Sequence, residues 1–460
     1  MDQKRRFPVK AILLDGSNSN DRTGERVRTA LEAQLQARGW EVEHYALCEK
    51  RIGNCAGDFL CWIRTPGMCN VNDDNRHIAA AVITSDLMVF LSPITFGGYN
   101  STLKGMVDHL IQNVSPFFAM VDGETHHQKR YENNPDLLAV GWMEAPEVLS
   151  ETVFRHLVQR NAINWHAKTW VGDVVLAGQS DDQVRSLASQ WVDDIQNGKS
   201  SPLMELPANG DPAAPLMAGT DDMAIEVQRA LLLVGSPKTR KSTSNSLGGY
   251  LFEQLSARSI QTEKIDLHTV LRNPRKMQAL LDAVEKADLV TLAFPIYVDT
   301  LPAPVIEALN RITMHLQERK SAHRQMFAAI ANCGFPEAHQ CANALAVCEI
   351  FAQQAGFVWA GSLALGAGEA VNGASLAELG GQTMRMRQSL ELAAGALAQG
   401  LAIPLAARDG LAKPVIPDWL YRLTGWLRWN RWAKRYDVNK LLKRQPYLAK
   451  AKSNLEQVSL

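Results

Sequence analysis

The sequence predicts two tandem α/β domains, each a parallel sheet covered by helices on both faces, followed by a helical tail. Three observations predict this. Short apolar runs alternate with amphipathic segments twice over, as parallel strands joined by helical crossovers require. The chain also repeats itself: S-D-L-M-V-F-L-S-P-I-T-F-G-G-Y-N-S-T-L-K (85–104) matches A-D-L-V-T-L-A-F-P-I-Y-V-D-T-L-P-A-P-V-I (287–306) in the order strand, Pro-Ile turn, helix. Finally, S-S-P-L-M-E-L-P-A-N-G-D-P-A-A-P-L-M-A-G-T (200–220) carries too much Pro and Gly for a helix or a central strand, which marks a linker.

The domains expected are 1–198 and 224–405, with the linker at 199–223 and the tail at 406–460. At 460 residues and 46% apolar content the chain can bury two cores. Formal net charge is zero, which gives no support to a nucleic-acid partner. The N-terminus has only a short apolar run before Asp15, unlike a secretory signal, and no stretch approaches a membrane span. Seven cysteines, an odd number, fit a reducing cytoplasm better than a disulfide framework.

In the first half, strands are expected at Val9–Asp15, Glu41–Tyr45, Leu87–Ser92, Leu137–Trp142 and Trp170–Leu176, with helices between them. In the second they are expected at Arg229–Val234, Gln261–Ile265, Leu289–Phe294, Met326–Asn332 and Phe357–Leu365. From about Asn113 to Asp136 runs a long connection, and connections of that length are usually functional or mobile. Within it His126, His127 and Arg130 are candidates to orient an acceptor or a cofactor phosphate, or else belong to a solvated loop.

The most informative loop follows Val234. Gly235 ends the strand, Ser236, Ser242, Thr243 and Ser244 offer hydroxyls, Lys238, Arg240 and Lys241 offer charge, and a helix with unpaired N–H groups begins there. The spacing is neither the nucleotide P-loop nor the dinucleotide G-x-G-x-x-G, and a monophosphate fits best. The first half has Gly16-Ser17-Asn18-Ser19-Asn20-Asp21-Arg22-Thr23 at the same place, without a lysine.

The G-S-P-K and its Ser/Thr cluster resemble the FMN phosphate loop of the NAD(P)H-dependent FMN reductase and multimeric flavodoxin-like family. The resemblance implies flavodoxin-like domains with strand order 2-1-3-4-5, bound FMN and NAD(P)H as co-substrate. It places Ser236, Lys238, Ser242, Thr243 and Ser244 on the phosphate, Pro295, Ile296, Tyr297 and Val298 against the isoalloxazine, and Asn332, Cys333 and Gly334 on its other side. The corresponding first-half residues are Ser17, Ser19, Asn20 and Thr23 for phosphate and Pro93, Ile94, Thr95, Phe96 and Gly97 for the ring. No catalytic side chain is implied, since the cofactor carries the redox chemistry to a quinone, free flavin or other small acceptor. A flavin-holding electron-transfer protein or scaffold without its own NAD(P)H reaction is the alternative, and homo-oligomerisation stays open.

C-A-G-D-F-L-C-W-I-R-T-P-G-M-C (55–69) resembles the cysteine segment of the iron-sulfur flavoproteins, but Asp58 stands where their middle cysteine would be. Three thiols fall one short of a cubane's ligands, so no metal is expected. Cys61 and Trp62 are instead expected to pack near the flavin edge or a subunit contact. In the tail, Trp419, Leu423 and Trp426 share a helical face with Leu420 and Leu427, opposite Arg428, Arg431 and Arg435. Packing on the domains is the favoured expectation for this helix; peripheral membrane contact through 419–444 is the other.

Overall fold

A computed structural model describes residues 9–206, 225–238, 241–319 and 323–448. Most of the expected linker lies outside them, as do Thr239 and Arg240. The described residues up to Glu205 form one compact unit with those from Arg422 onward, and those from Leu206 to Tyr421 form the other. The tail is therefore not a separate body: the boundary falls inside its helix, Asp418–Lys434.

The first unit contains β1 (Lys10–Asp15), β2 (Glu41–Ala46), β3 (Leu87–Thr95), β4 (Gly98–Tyr99), β5 (Val114–Val121), β6 (Glu124–Lys129), β7 (Asp136–Met143) and β8 (Trp170–Leu176). Its sheet runs β2-β1-β3-β7-β8, all parallel, with β4 folded back antiparallel on β3. The second unit contains β9 (Arg229–Val234), β10 (Gln261–Asp266), β11 (Leu289–Pro295), β12 (Met326–Asn332) and β13 (Val358–Leu365) in the order β10-β9-β11-β12-β13, again parallel. Both are the 2-1-3-4-5 order of flavodoxin-like domains, which puts ligand loops at the carboxyl ends of the first, third and fourth strands.

The central strands are apolar on both faces because helices cover both. Leu231, Leu232, Leu233 and Val234 of β9 are all buried, and Leu232 and Val234 pack with Leu251 and Leu255 of the helix Thr243–Ser256. In the first unit Leu13 and Leu91 meet Val27, Leu31 and Leu35 of the helix Arg22–Ala37, whose buried positions recur at helical spacing. The expected strands sit within one residue of the observed bounds, except that β3 continues to Thr95.

The connection 113–136 is not a plain loop. It holds a separate hairpin, β5–β6, turned at Asp122 (φ 49°) and Gly123 (φ 86°), which is Asp-Gly in the left-handed pair of conformations that a two-residue hairpin turn demands. The tail helix also packs differently from expectation. Trp429 is 2% exposed, with its ring 5.2 Å from that of Trp62 and 5.4 Å from that of Phe59, while Trp419, Leu423, Trp426 and Leu427 face solvent. Arg428 lies across the Trp429 and Trp432 rings rather than opposite the apolar side. Among the described residues no helix is long and apolar enough to cross a membrane.

Candidate functional site

In the second unit the loops after β9, β11 and β12 are tied together. Gly235 donates its N–H to Ala293 at 2.8 Å, and a Cβ there would lie 2.7 Å from Val305 and 2.9 Å from Phe294, so only glycine lets the chain turn this close to β11. Ser236 is buried and its Oγ accepts from the Lys238 N–H at 3.3 Å; Lys238 itself is exposed. Ser242 caps the helix Thr243–Ser256 by accepting from Asn245 N–H at 3.2 Å, which leaves the helix's first N–H groups and its positive dipole end at the loop. Ser244 donates to Asn332 Oδ1 at 2.8 Å, joining the phosphate loop to the loop after β12. No carboxylate occurs between Gly235 and Asn245.

The loop after β11 is zipped to β12 by the Ile296 N–H on the Asn332 carbonyl at 2.9 Å. Tyr297 and Thr300 then pair across Val298 (φ 44°) and Asp299 (φ 65°). A β-branched residue in the left-handed region is a strained choice, and such strain gathers at ligand sites. The first unit builds the same turn, with Thr95 and Gly98 paired across Phe96 (φ 52°) and Gly97 (φ 77°). Duplication thus extends to the backbone conformation of the ring-side turn.

Two neighbours of this crevice escaped the sequence reading. The connection after β13 lies along the loops: Ala367 N–H binds the Phe335 carbonyl at 2.6 Å, Gly368 N–H the Cys333 carbonyl at 2.9 Å, Thr243 donates to the Gly368 carbonyl at 2.6 Å, and a Cβ on Gly373 would collide with the Lys241 backbone. Its glycines, Gly366, Gly368 and Gly373, were the signal that marks it. The second neighbour is Tyr421, whose hydroxyl donates to the Gly334 carbonyl and whose pKa is pushed up by burial and then by Cys333 and Glu337. The residues fit an FMN: hydroxyls, a lysine and a helix N-terminus suit a phosphate, and Thr300 Oγ1 in the ring-side turn is buried without a hydrogen-bond partner.

The first unit's corresponding loop is charged the other way. Asp15, 3% exposed, accepts from the Ser17 N–H at 2.8 Å and from Ser17 Oγ at 2.6 Å, while its other oxygen lies 3.2 Å from His44 Nε2 and 3.7 Å from Arg28 Nε. Burial opposes its ionisation, but the hydrogen bonds from His44 and Ser17 outweigh that and hold the carboxyl below its ordinary range. Asp21 caps the following helix, taking the Gly24 N–H at 2.9 Å and the Trp142 indole N–H at 2.9 Å. Ser19 and Asn20 are exposed and Thr23 is half-buried.

His126, His127 and Arg130 are built into the first unit rather than presented to an acceptor. His126 is fully buried between Asn164 Oδ1 at 2.9 Å and Glu124 Oε2 at 3.2 Å. Arg130 donates to the carbonyls of Val114, Leu442 and Arg444 at 3.1, 2.9 and 2.9 Å, which ties down the C-terminal segment. His127 packs between Trp62 and Phe118, and burial followed by the charge of His126 pushes its imidazole down to about 3. An ordinary imidazole in the unfolded chain gains a proton below 6.5 whereas His127 stays neutral, so unfolding takes up a proton and stability falls as pH drops from 7 towards 3. Between pH 7 and pH 5 the protein should lose about 2 kcal/mol more than His127→Phe does, as roughly 1.4 kcal/mol per pH unit implies. Parallel urea midpoints for the two across that range would rule this out.

The cysteine segment packs against the tail helix. Trp62 stacks on Phe59 at 5.3 Å and meets His127 at 4.6 Å and Trp429 at 5.2 Å. Cys69 Sγ lies 3.6 Å from His109 Nδ1. Burial and then Asp108 push the Cys55 thiol up to about 12, and burial followed by Cys55, Cys69 and Asp58 raises Cys61 well above its usual value. Both thiols are therefore held protonated in this environment. Asp58 accepts the Leu60 N–H at 3.0 Å, as a turn-forming residue does. Protein purified anaerobically should carry neither iron nor acid-labile sulfide; both present in stoichiometric amounts would sink this reading.

The strand order and the strand-to-helix loops are those of a flavodoxin-like α/β protein. The sequence profile of the NADPH-dependent FMN reductase family matches residues 9–155 and 228–370, more than half of the chain, and the chain belongs to that family. FMN is the cofactor that this membership assigns. An iron-sulfur flavoprotein of Methanocaldococcus jannaschii is 32% identical over 101 residues, covering 22% of this chain and 51% of its own length. Another, of Archaeoglobus fulgidus, is 25% identical over 103 residues, covering 22% and 46%. The chain thus spans about half the length of the curated relatives it matches. Among solved structures, an FMN-dependent NADH-azoreductase of Bacillus anthracis in complex with FMN is 12% identical with a TM-score of 0.29, covering 37% of this chain and 99% of that one. An NADH:FMN oxidoreductase in its apo form is 19% identical with a TM-score of 0.29, covering 39% and 94%.

Proposed function

We propose that the protein is an FMN-dependent oxidoreductase that takes electrons from NADH or NADPH and delivers them to a small acceptor such as a quinone or free flavin. The observation that carries this reading is the second unit's acid-free Ser/Lys loop at a helix N-terminus, linked through Asn332 to both ring-side loops. When bound there, FMN supplies the redox chemistry, accepting hydride from the nicotinamide and passing electrons onward. The chain's own residues bind and orient. Ser236, Ser242, Lys238 and the helix N-terminus would hold the phosphate; Pro295, Ile296, Tyr297 and Val298 would present an apolar wall; Asn332, Cys333 and Gly334 would close the other side. Oxidation of NADPH by a soluble quinone, dependent on added FMN, is the expected activity. A protein that holds FMN yet leaves both nicotinamide nucleotides unoxidised would favour a flavin carrier or scaffold instead. Seven free thiols support a reducing cytoplasm as its location.

The tail supports a second element of the reading, docking to an anionic membrane surface. Trp419, Leu423, Trp426 and Leu427 are exposed on the helix whose other side is anchored by Trp429. Between Asp418 and Arg444 there are eight Lys and Arg but only two acids, Asp418 and Asp437. Exposed aromatic and leucine side chains flanked by Arg422, Arg431 and Lys434 suit a headgroup boundary carrying negative charge. The full chain should co-sediment with phosphatidylserine vesicles at low salt, and Trp419→Ala with Trp426→Ala should abolish this. Equal binding to neutral phosphatidylcholine, or none to either, would contradict it.

A further inference from the structure

The duplicated units place the same loop at the same point of the fold, between the first strand and the first helix, and fill it with opposite charge. We infer that the chain carries one FMN, on the second unit, because the first unit's anion-binding loop is already occupied by the protein's own carboxylates. This inference rests on the FMN-dependent reading above.

A strand-to-helix loop binds a phosphate by turning N–H groups, hydroxyls and the positive end of a helix towards it. In the first unit part of that donor set is committed to carboxylates. Ser17 gives both its N–H and its hydroxyl to Asp15, and the Gly24 N–H of the helix's first turn goes to Asp21. Both acids are fixed from behind: His44 and Arg28 lie against Asp15, and the Trp142 indole N–H binds Asp21. Nor is there slack in the packing, since a Cβ on Gly24 would lie 2.7 Å from the Trp142 ring and 2.9 Å from Ser17 Cβ. A phosphate entering here would have to displace Asp15 from Ser17 and then sit beside two carboxylates in a partly desolvated loop, where like charges repel strongly. The Ser17 donors at the start of the loop are thus taken, and two carboxylates face any anion that enters.

The second loop differs at each of these points. The position after β9 that corresponds to Asp15 is Val234, the last strand residue before glycine, and the helix cap is Ser242 where the first unit has Asp21. The loop is two residues longer between glycine and cap, as Gly235 to Ser242 against Gly16 to Asp21 shows, and the added residues are part of its basic run. A neutral cap adds no negative charge of its own at the helix's positive end, where an incoming phosphate is favoured.

Two matched charge reversals on exposed residues test this in the full-length protein. Arg22→Glu adds a negative charge at the first unit's helix start, and Lys238→Glu adds one to the second unit's loop; both side chains are exposed, so neither change disturbs a core. Each protein is saturated with FMN, freed of excess by gel filtration, and its released flavin counted against chain concentration. Wild type and Arg22→Glu should each hold about one FMN per chain, and Lys238→Glu less than about a tenth of that, as loss of a charge-assisted phosphate contact implies. Two FMN per chain in wild type, or loss of flavin with Arg22→Glu and not with Lys238→Glu, overturns the inference. No flavin on any of the three proteins would overturn the FMN-dependent reading itself, and the inference with it.

Discussion

Replacing Trp429 with alanine should lower the unfolding free energy by about 3 to 5 kcal/mol, the cost of emptying a buried tryptophan site. The ring fills a box formed with Phe59, Trp62 and Trp432, so its removal leaves three aromatic side chains without their partner. Trp419→Ala, on the exposed side of the same helix at 63% exposure, should change stability by less than about 0.5 kcal/mol. Ending the chain after Pro417 should be worse than either substitution. It takes away Trp429, the Leu442 and Arg444 carbonyls that accept from buried Arg130 Nη1, and the Tyr447 hydroxyl that reaches buried Gln112 at 2.6 Å. The shortened protein should aggregate or melt well below the full chain. Urea unfolding monitored by far-UV circular dichroism measures all three, and equal stabilities for Trp429→Ala and Trp419→Ala would show that the helix does not anchor through Trp429.

The double substitution Ser236→Ala with Lys238→Ala should weaken FMN binding by roughly 2 to 4 kcal/mol, or about 30- to 1,000-fold in dissociation constant, from the loss of one hydroxyl and one charge-assisted contact. Ser244 is less informative than its place in the loop implies, because its hydroxyl is given to Asn332. Its removal should disturb the join between loops as well as any phosphate contact. Fluorescence titration of FMN against the apoprotein reads the change, and an affinity within twofold of wild type would place the phosphate elsewhere.

The sheets were legible because doubly covered strands leave an unmistakable trace: A-L-L-L-V before Gly235 and L-M-V-F-L before Ser92 are buried on both faces and so apolar at every position. The hairpin β5–β6 left a weaker one. Glu124 to Lys129 has no apolar alternation, since its side chains make polar contacts to Asn164, Arg160 and Phe118 rather than entering a sheet core. Only Asp122-Gly123 announced it. The first unit's loop carries its charges on view in Asp15 and Asp21, but that these acids take the Ser17 donors and the Gly24 N–H needed geometry. Nothing local ties Trp429 to Trp62 or Arg130 to Leu442, because partners so far apart in the chain share no spacing, and the inward face of a helix rich in tryptophan on all sides is chosen by its partner.

The most direct test is an anaerobic reductive titration of the full-length holoprotein, following the flavin absorbance as NADPH or NADH is added. Full bleaching is expected at one equivalent of nucleotide per chain, with about one FMN present, and the absorbance should return when a quinone is added. Flavin that stays oxidised through a large excess of both nucleotides would contradict it.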